Sequence, residues 1–251
     1  MTFDITLLPP KQAVKWGMPR RKPSAESGRT YGGESAADRL ARQRRQFMAA
    51  GLELYGTVGY RATTVRMLCK QAGLIDRYFY KNFKDTEDLL AAVYTEATER
   101  IEAEVVKAIA PALSSGDPER AIESGLDAFF RVFENSRVAR VVWLEVLGVS
   151  PRIDALYTRR IEQFADLLLS LAEAMLTLPR ATYAEARITA VAVVGAISQS
   201  ALFWLLSHYK ADRKVLVSAT ARVLRGTMSA LTSDEAGDGR RRKAPVRNRR
   251  S

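Results

Sequence analysis

A single cysteine and a single histidine stand in a chain of 251 residues, and each scarcity removes a class of chemistry. Cys69 alone closes no intrachain disulfide, which fits a reducing, cytoplasmic compartment. Cys69 and His208 fall short of the four ligands of a structural zinc site, so no metal is called for. One imidazole is too little for a histidine-based triad, there is no glycine-rich phosphate loop, and the carboxylates are scattered over solvated helix faces. An enzyme acting on an anionic substrate is therefore the weakest reading, and no cofactor is implied. Also missing are an alternating apolar and polar run that would argue for a sheet and a repeat of fixed period. Residues 1–38 lack a secretory leader pattern: Asp4 falls where a basic segment belongs, and Pro9-Pro10 interrupt the short apolar run Ile5–Leu8.

What is present is an ordinary globular composition, 47% hydrophobic and 27% charged, with 39 basic against 28 acidic side chains. The net charge of +11 points to a polyanionic partner, nucleic acid before membrane. The excess is local. Residues 39–84 carry ten basic and two acidic groups, residues 85–232 sixteen and nineteen, and the two ends, 1–38 and 233–251, are net +2 and +4. A small polyanion-binding module attached to a larger, slightly acidic body is the expected organisation.

The apolar spacing between the ends is helical, so the expected fold is all-α. Helices are expected over Arg39–Tyr55, Val65–Ala72 with Thr63 or Thr64 as cap, Asp76–Phe83, and from just after Asp85 to about Ala110, ending before Pro111. After a break at Ser114–Pro118 follow about Glu119–Glu134, Ser136–Leu147, Arg152–Leu176, Tyr183–Ser207 and Asp212–Leu231. Residues 1–38 and 233–251 read as disordered basic extensions, solvated or touching DNA phosphate. Ile188–Tyr209 is a run of 22 residues without a formal charge, long enough to span a bilayer. Ser198-Gln199-Ser200 at its centre and its small residues favour a helix buried by packing instead, so no membrane is expected.

Residues 60–83 carry the function. A capped two-turn helix, a turn containing Gly73 and a second short helix form a helix-turn-helix, whose second helix enters a major groove. Val65, Leu68, Cys69 and Ala72 face Leu74, Phe79 and Phe83, leaving Asp76, Arg77, Tyr78, Tyr80 and Lys81 outside. With Phe47–Tyr55, Gly59-Tyr60, Thr63-Thr64-Val65, Ala72-Gly73-Leu74, Tyr80-x-x-Phe83 and Glu87-x-Leu89-Leu90, the stretch from about 40 to 95 resembles the TetR family of one-component bacterial transcription regulators, in its actinobacterial form. The resemblance implies a three-helix DNA-binding head over 39–84, a connecting helix to about 110, and a helical ligand-binding and dimerisation domain over 111–232.

Carried over by position, Thr63 or Thr64, Tyr80 and Lys81 match phosphate contacts, and Asp76, Arg77 and Tyr78 match the base-reading face. This chain departs from the family in having Ile75 where a capping Ser or Thr is usual, which leaves the cap to Asp76. Arg77-Tyr78 stand for the common Gly-Thr, and Thr86 for a frequent Lys that Lys84 replaces. Arg44 and Arg45 are expected at phosphates, with Arg61, Arg66 and Lys70 adding to the field.

In the body, Phe129, Phe133, Trp143, Phe164 and Phe203, with Phe130, Met175 and Trp204, recur at helical spacing. The ordinary reading is core; by the resemblance, the first five are candidates for a cavity holding a small apolar effector. Ala192, Gly195, Ala196 and Gln199 offer a narrow surface for a second copy of the chain. The expected function is a cytoplasmic, nucleoid-associated repressor that binds a palindromic double-stranded operator as a homodimer. The rival is a ligand-independent architectural DNA-binding protein.

Overall fold

The computed structural model describes residues 35–175 and 183–241; the rest of the two extensions, 1–34 and 242–251, lies outside the described residues. The chain divides into two units, 1–42 and 43–251. Of the first, the described part is the opening of a helix capped by Ser35, whose Oγ accepts the Asp38 N–H at 3.0 Å and donates to the Asp38 carboxylate at 2.6 Å. Regular structure among the described residues is all helical: α1 Ala36–Thr57, α2 Val65–Ala72, α3 Asp76–Asn82, α4 Thr86–Ser115, α5 Pro118–Phe133, α6 Ser136–Trp143, α7 Pro151–Met175, α8 Tyr183–Leu206 and α9 Arg213–Arg241.

Local chemistry sets most of these ends. Thr64 caps α2 by accepting the Met67 N–H, and Gly73 closes it at φ 65°, with the Leu74 N–H returning to the Cys69 carbonyl. Asp85 caps α4, and Asp117 caps α5 with Pro118 in the first turn, as expected. Four expectations need correction. Pro111 does not end α4: Ala112 is buried with Ile109 and Ala121, and that packing carries the helix to Ser115, where Gly116 stops it at φ 66°. Asp76 does not occupy the cap of α3. The cap position is Ile75, which makes no side-chain bond, while Asp76 Oδ1 accepts the adjacent Arg77 N–H from inside the first turn. Helix α6 stops at Trp143 rather than Leu147, because the N–H groups of Leu144 and Glu145 both return to the Arg140 carbonyl. Helix α9 runs to Arg241, past Leu231 and into the expected tail, through Ser233-Asp234-Glu235-Ala236 with no proline before Pro245.

Helix α3 has seven residues and cannot stand alone; the fully buried Phe79 and the nearly buried Phe83 hold it edge-on against Phe47, with ring centroids at 5.3 and 6.4 Å. From there one core continues through Leu89, Leu90 and Val93 of α4 into Phe130, Phe133, Val141 and Trp204. Each such side chain stabilises the fold by about 1.5–3 kcal/mol. Helix α4 packs on α5, α6 and α7, α8 on α6, α7 and α9, and α9 also on α5. Cys69 lies in this core, where burial and then the Asp76 charge push its thiol up, away from the reactive thiolate.

The joint between the helix-turn-helix and the body is tight. A Cβ on Gly56 would stand 2.5 Å from Arg137 Cβ and 2.6 Å from its Cα, so α1 crosses α6 where only glycine fits. Beside it Arg137 pairs with Glu53, and Glu145 accepts the Tyr60 N–H at 2.7 Å through Oε2 and an Arg140 N–H at 3.1 Å through Oε1. Arg152 at the start of α7 bonds Asp88 at 2.8 Å and reaches Glu87, which hold the guanidinium pKa up.

Candidate functional site

The outward face of α3 presents Asp76, Arg77, Tyr80 and Lys81 to solvent, with Tyr80 61% exposed. Tyr78 is half-buried, with Lys81 Nζ 5.8 Å from its ring centroid and its carbonyl accepting from Asn82 Nδ2 at 2.8 Å. The predicted residues thus come together on one helix, but Tyr78 lies at the edge of the reading face. Arg44 stays exposed while its guanidinium lies 4.4 Å from the Phe83 ring centroid and donates to the Asn82 carbonyl at 3.0 Å, which fixes it beside the end of α3. Arg45 and Lys84 are exposed. Thr64 is at the surface and, having accepted the Met67 N–H, keeps its hydroxyl proton for an outside acceptor. Thr63 is buried and donates to the Gly59 carbonyl at 2.7 Å, so of the two threonines it is the structural one.

Sequence reasoning treated Ile75 only as a lost cap. It is 58% exposed at the entrance of α3, an apolar group suited to a thymine methyl. The face can do three things chemically: bond a guanine edge twice through the Arg77 fork, accept from cytosine through Asp76, and neutralise phosphate through Lys81, Arg45 and Lys84.

The body encloses a cavity of about 550 Å³, within the range of about 300–1,000 Å³ usual for small-molecule sites. Phe129, Phe133, Trp143 and Phe164 are on its wall, and the Trp143 indole N–H has no partner among the described residues. Phe203 is not on the wall. It is 69% exposed, because α8 turns Ile197, Ala201 and Trp204 inward and the next residue back lies about 100° round the helix. Sequence reasoning also missed Tyr94, Thr98, Ile101, Val105 and Ile109, which line the cavity from α4. Their spacing of three and four residues was the available signal, obscured by treating α4 as a connector.

Residues 47–93, which hold the end of α1, the helix-turn-helix and the start of α4, match the family model described as bacterial regulatory proteins, tetR family. Residues 47–93 carry the DNA-binding segment of the TetR family. The chain is 24% identical over 207 residues to the HTH-type transcriptional activator FasR of Mycolicibacterium smegmatis, covering 80% of this chain and 90% of that one. Its fold is similar to that of the fatty acid degradation regulator FadR from Bacillus halodurans, with a TM-score of 0.60 at 19% identity over 72% of this chain and 94% of the other. FadR from Bacillus subtilis, solved in complex with stearoyl-CoA, gives 0.59 at 17% identity, over 72% and 96%. The protein is a DNA-binding transcription regulator and not an enzyme.

In the body the outer side of α8 is apolar. Ile188, Phe203 and Leu206 are exposed, and the predicted Ala192, Gly195 and Gln199 lie on the same side, with Ala196 half-buried at its margin. Val215 and Val223 of α9 are exposed as well. By length and composition α8 is also apolar enough to cross a membrane, with 28% of its apolar window buried.

Proposed function

We propose that this TetR-family regulator binds a palindromic operator as a homodimer and releases it when a small molecule with a long apolar chain fills the body cavity. The observation that carries this reading is the cavity itself, walled by α4 and by Trp143 of α6, the two helices that hold the DNA-reading head. Any ligand that favours one position of α4 or α6 biases the head. A structural neighbour, FadR of Bacillus subtilis, was solved with stearoyl-CoA, a molecule with such a chain.

The α8 and α9 surface supports the dimer: a contiguous apolar face of this kind marks an interaction site, and the small residues at 192 and 195 admit a partner helix closely. Packing against a second copy accounts for the uncharged run without lipid. A two-fold dimer reads two half-sites, with Arg77, Asp76 and Tyr78 at base edges and Thr64, Tyr80, Lys81, Lys84, Arg44 and Arg45 at phosphates.

Purified protein should shift its own promoter fragment and protect a palindrome within it; equal affinity for bulk DNA overturns the reading. FasR is named an activator, whereas repression follows from the family resemblance. A reporter on the mapped operator separates the two, since deleting the regulator raises expression under repression and lowers it under activation.

A further inference from the structure

The two ends of the cavity differ in chemistry. Along α4 the lining changes from Tyr94 and Thr98 to Ile101, Val105 and Ile109, and along α7 from Tyr157 and Arg160 to Phe164, Leu168 and Leu171. Tyr94, Tyr157 and Arg160 share one end, where the Tyr94 and Tyr157 rings lie 6.5 Å apart and Arg160 bonds Glu99 of α4 at 3.0 Å, while Glu173 follows Leu171 on the wall at the other. That end is the one nearer the DNA-reading helices, where Tyr55 donates to the Thr86 carbonyl at the start of α4 and Arg152 holds Asp88.

Its donors are not used up by the protein. Tyr94 is 2% exposed, and among the described residues neither Tyr94 nor Tyr157 donates its phenol proton. Burial raises the pKa of both phenols, with Tyr157 adding to the effect at Tyr94 and Arg160 opposing it, so both are donors at neutral pH. Arg160, 9% exposed, gives Nη1 to Gln163 at 2.9 Å and Nη2 to Glu99, leaving its Nε–H without a protein acceptor. On the wall of an apolar cavity, these donors stand open to an acceptor from outside the chain.

We propose that Tyr94, Tyr157 and Arg160 receive the oxygen head of a long-chain acyl compound, whose aliphatic tail runs between α4 and α7 towards Ile109 and Leu171. The assignment rests on the effector reading above and adds to it a head group and a direction. A free carboxylate and an acyl thioester both present such oxygens. Glu99 is an exposed partner that can turn to solvent when a carboxylate takes Arg160.

Binding of palmitate, palmitoyl-CoA and hexadecylamine to the full chain, followed by calorimetry and tryptophan fluorescence, tests this. The wild type should bind palmitate, palmitoyl-CoA or both, and hexadecylamine at least ~10-fold more weakly, since its cation faces Arg160. The combined Tyr94→Phe and Tyr157→Phe variant keeps both rings and should lose about 10- to 100-fold for whichever acyl probe binds. Arg160→Lys, which keeps the charge and loses the planar fork, gives a second reading of the same loss. Binding of palmitate alone identifies the free acid as the source, and of palmitoyl-CoA alone the thioester. Leu171→Phe at the far end should favour laurate over palmitate; indifference to chain length overturns the direction. Unchanged acyl affinity in the tyrosine and arginine variants overturns the head assignment and leaves the effector reading standing. No binding of any probe by the wild type overturns both.

Discussion

Arg77 and Lys81 sit one turn apart on the exposed face of α3, yet their chemistry assigns them different work. The planar fork of Arg77 suits a base edge, whereas Lys81 is a compact charge beside the Tyr78 ring. Arg77→Ala should therefore cost about 1–3 kcal/mol at the operator and relax its sequence preference. Lys81→Ala should weaken all sites alike and reduce the salt slope by about 1; titrations at several salt concentrations separate the two. His208 makes a different point at the same scale. It and Tyr209 hold φ of 54° and 56° after α8, a conformation costing L-residues roughly 1–2 kcal/mol. Two bonds hold the turn nonetheless, Trp204 Nε1 to the Ala211 carbonyl at 2.7 Å and Tyr209 OH to the Phe133 carbonyl at 3.0 Å. Since Tyr209 is one of the anchors and His208 is not, His208→Gly should raise stability by up to about 1 kcal/mol, read from denaturant unfolding.

Among the elements, α6 is short but joins both halves of the mechanism. Its Arg137 lies against Gly56 and Glu53 of α1, while Trp143 at its end walls the cavity. Gly56→Ala forces α1 and α6 apart and should destabilise the fold by about 1–3 kcal/mol. Gly195→Ala, where a Cβ meets nothing within 4 Å, should leave the folded chain nearly unchanged. By contrast, Gly195→Arg should shift the particle towards the 27.9 kDa monomer in light scattering, because it puts charge on the proposed dimer face. The elements also show what a sequence can and cannot convey. Caps and turns are local, so Thr64, Gly73, Asp85, Asp117 and Pro118 marked their helix ends correctly. Where tertiary packing decides, local rules fail: burial of Ala112 overrides Pro111. Phe203 was misplaced for a related reason, since an aromatic on an apolar helix packed on several sides does not announce which side it faces.

For the whole molecule, the distribution of charge orders the parts by task. Ten basic side chains against two acidic ones fall within residues 39–84, while the slightly acidic remainder up to 232 carries no such attraction for a polyanion. The helix-turn-helix was legible from the sequence because it is compact, with its turn and both short helices in two dozen consecutive positions. The cavity was legible only by half. Its aromatic wall showed as periodicity, but the polar end is made by residues more than sixty positions apart, Tyr94 with Tyr157 and Arg160, which only the fold brings together. Deleting residues 242–251, which carry five of the chain's basic groups, should lower affinity for bulk DNA more than operator preference, measured by competition binding. The contact at Gly56 bears on how such regulators can be recombined. With Arg137 lodged against its backbone and Glu145 tied to Tyr60, the reading head is not a detachable cassette. A chimaera cut after α3 would carry one half of a fitted joint, so transplanting this specificity onto another sensor requires moving α6 and the Glu145 turn with it.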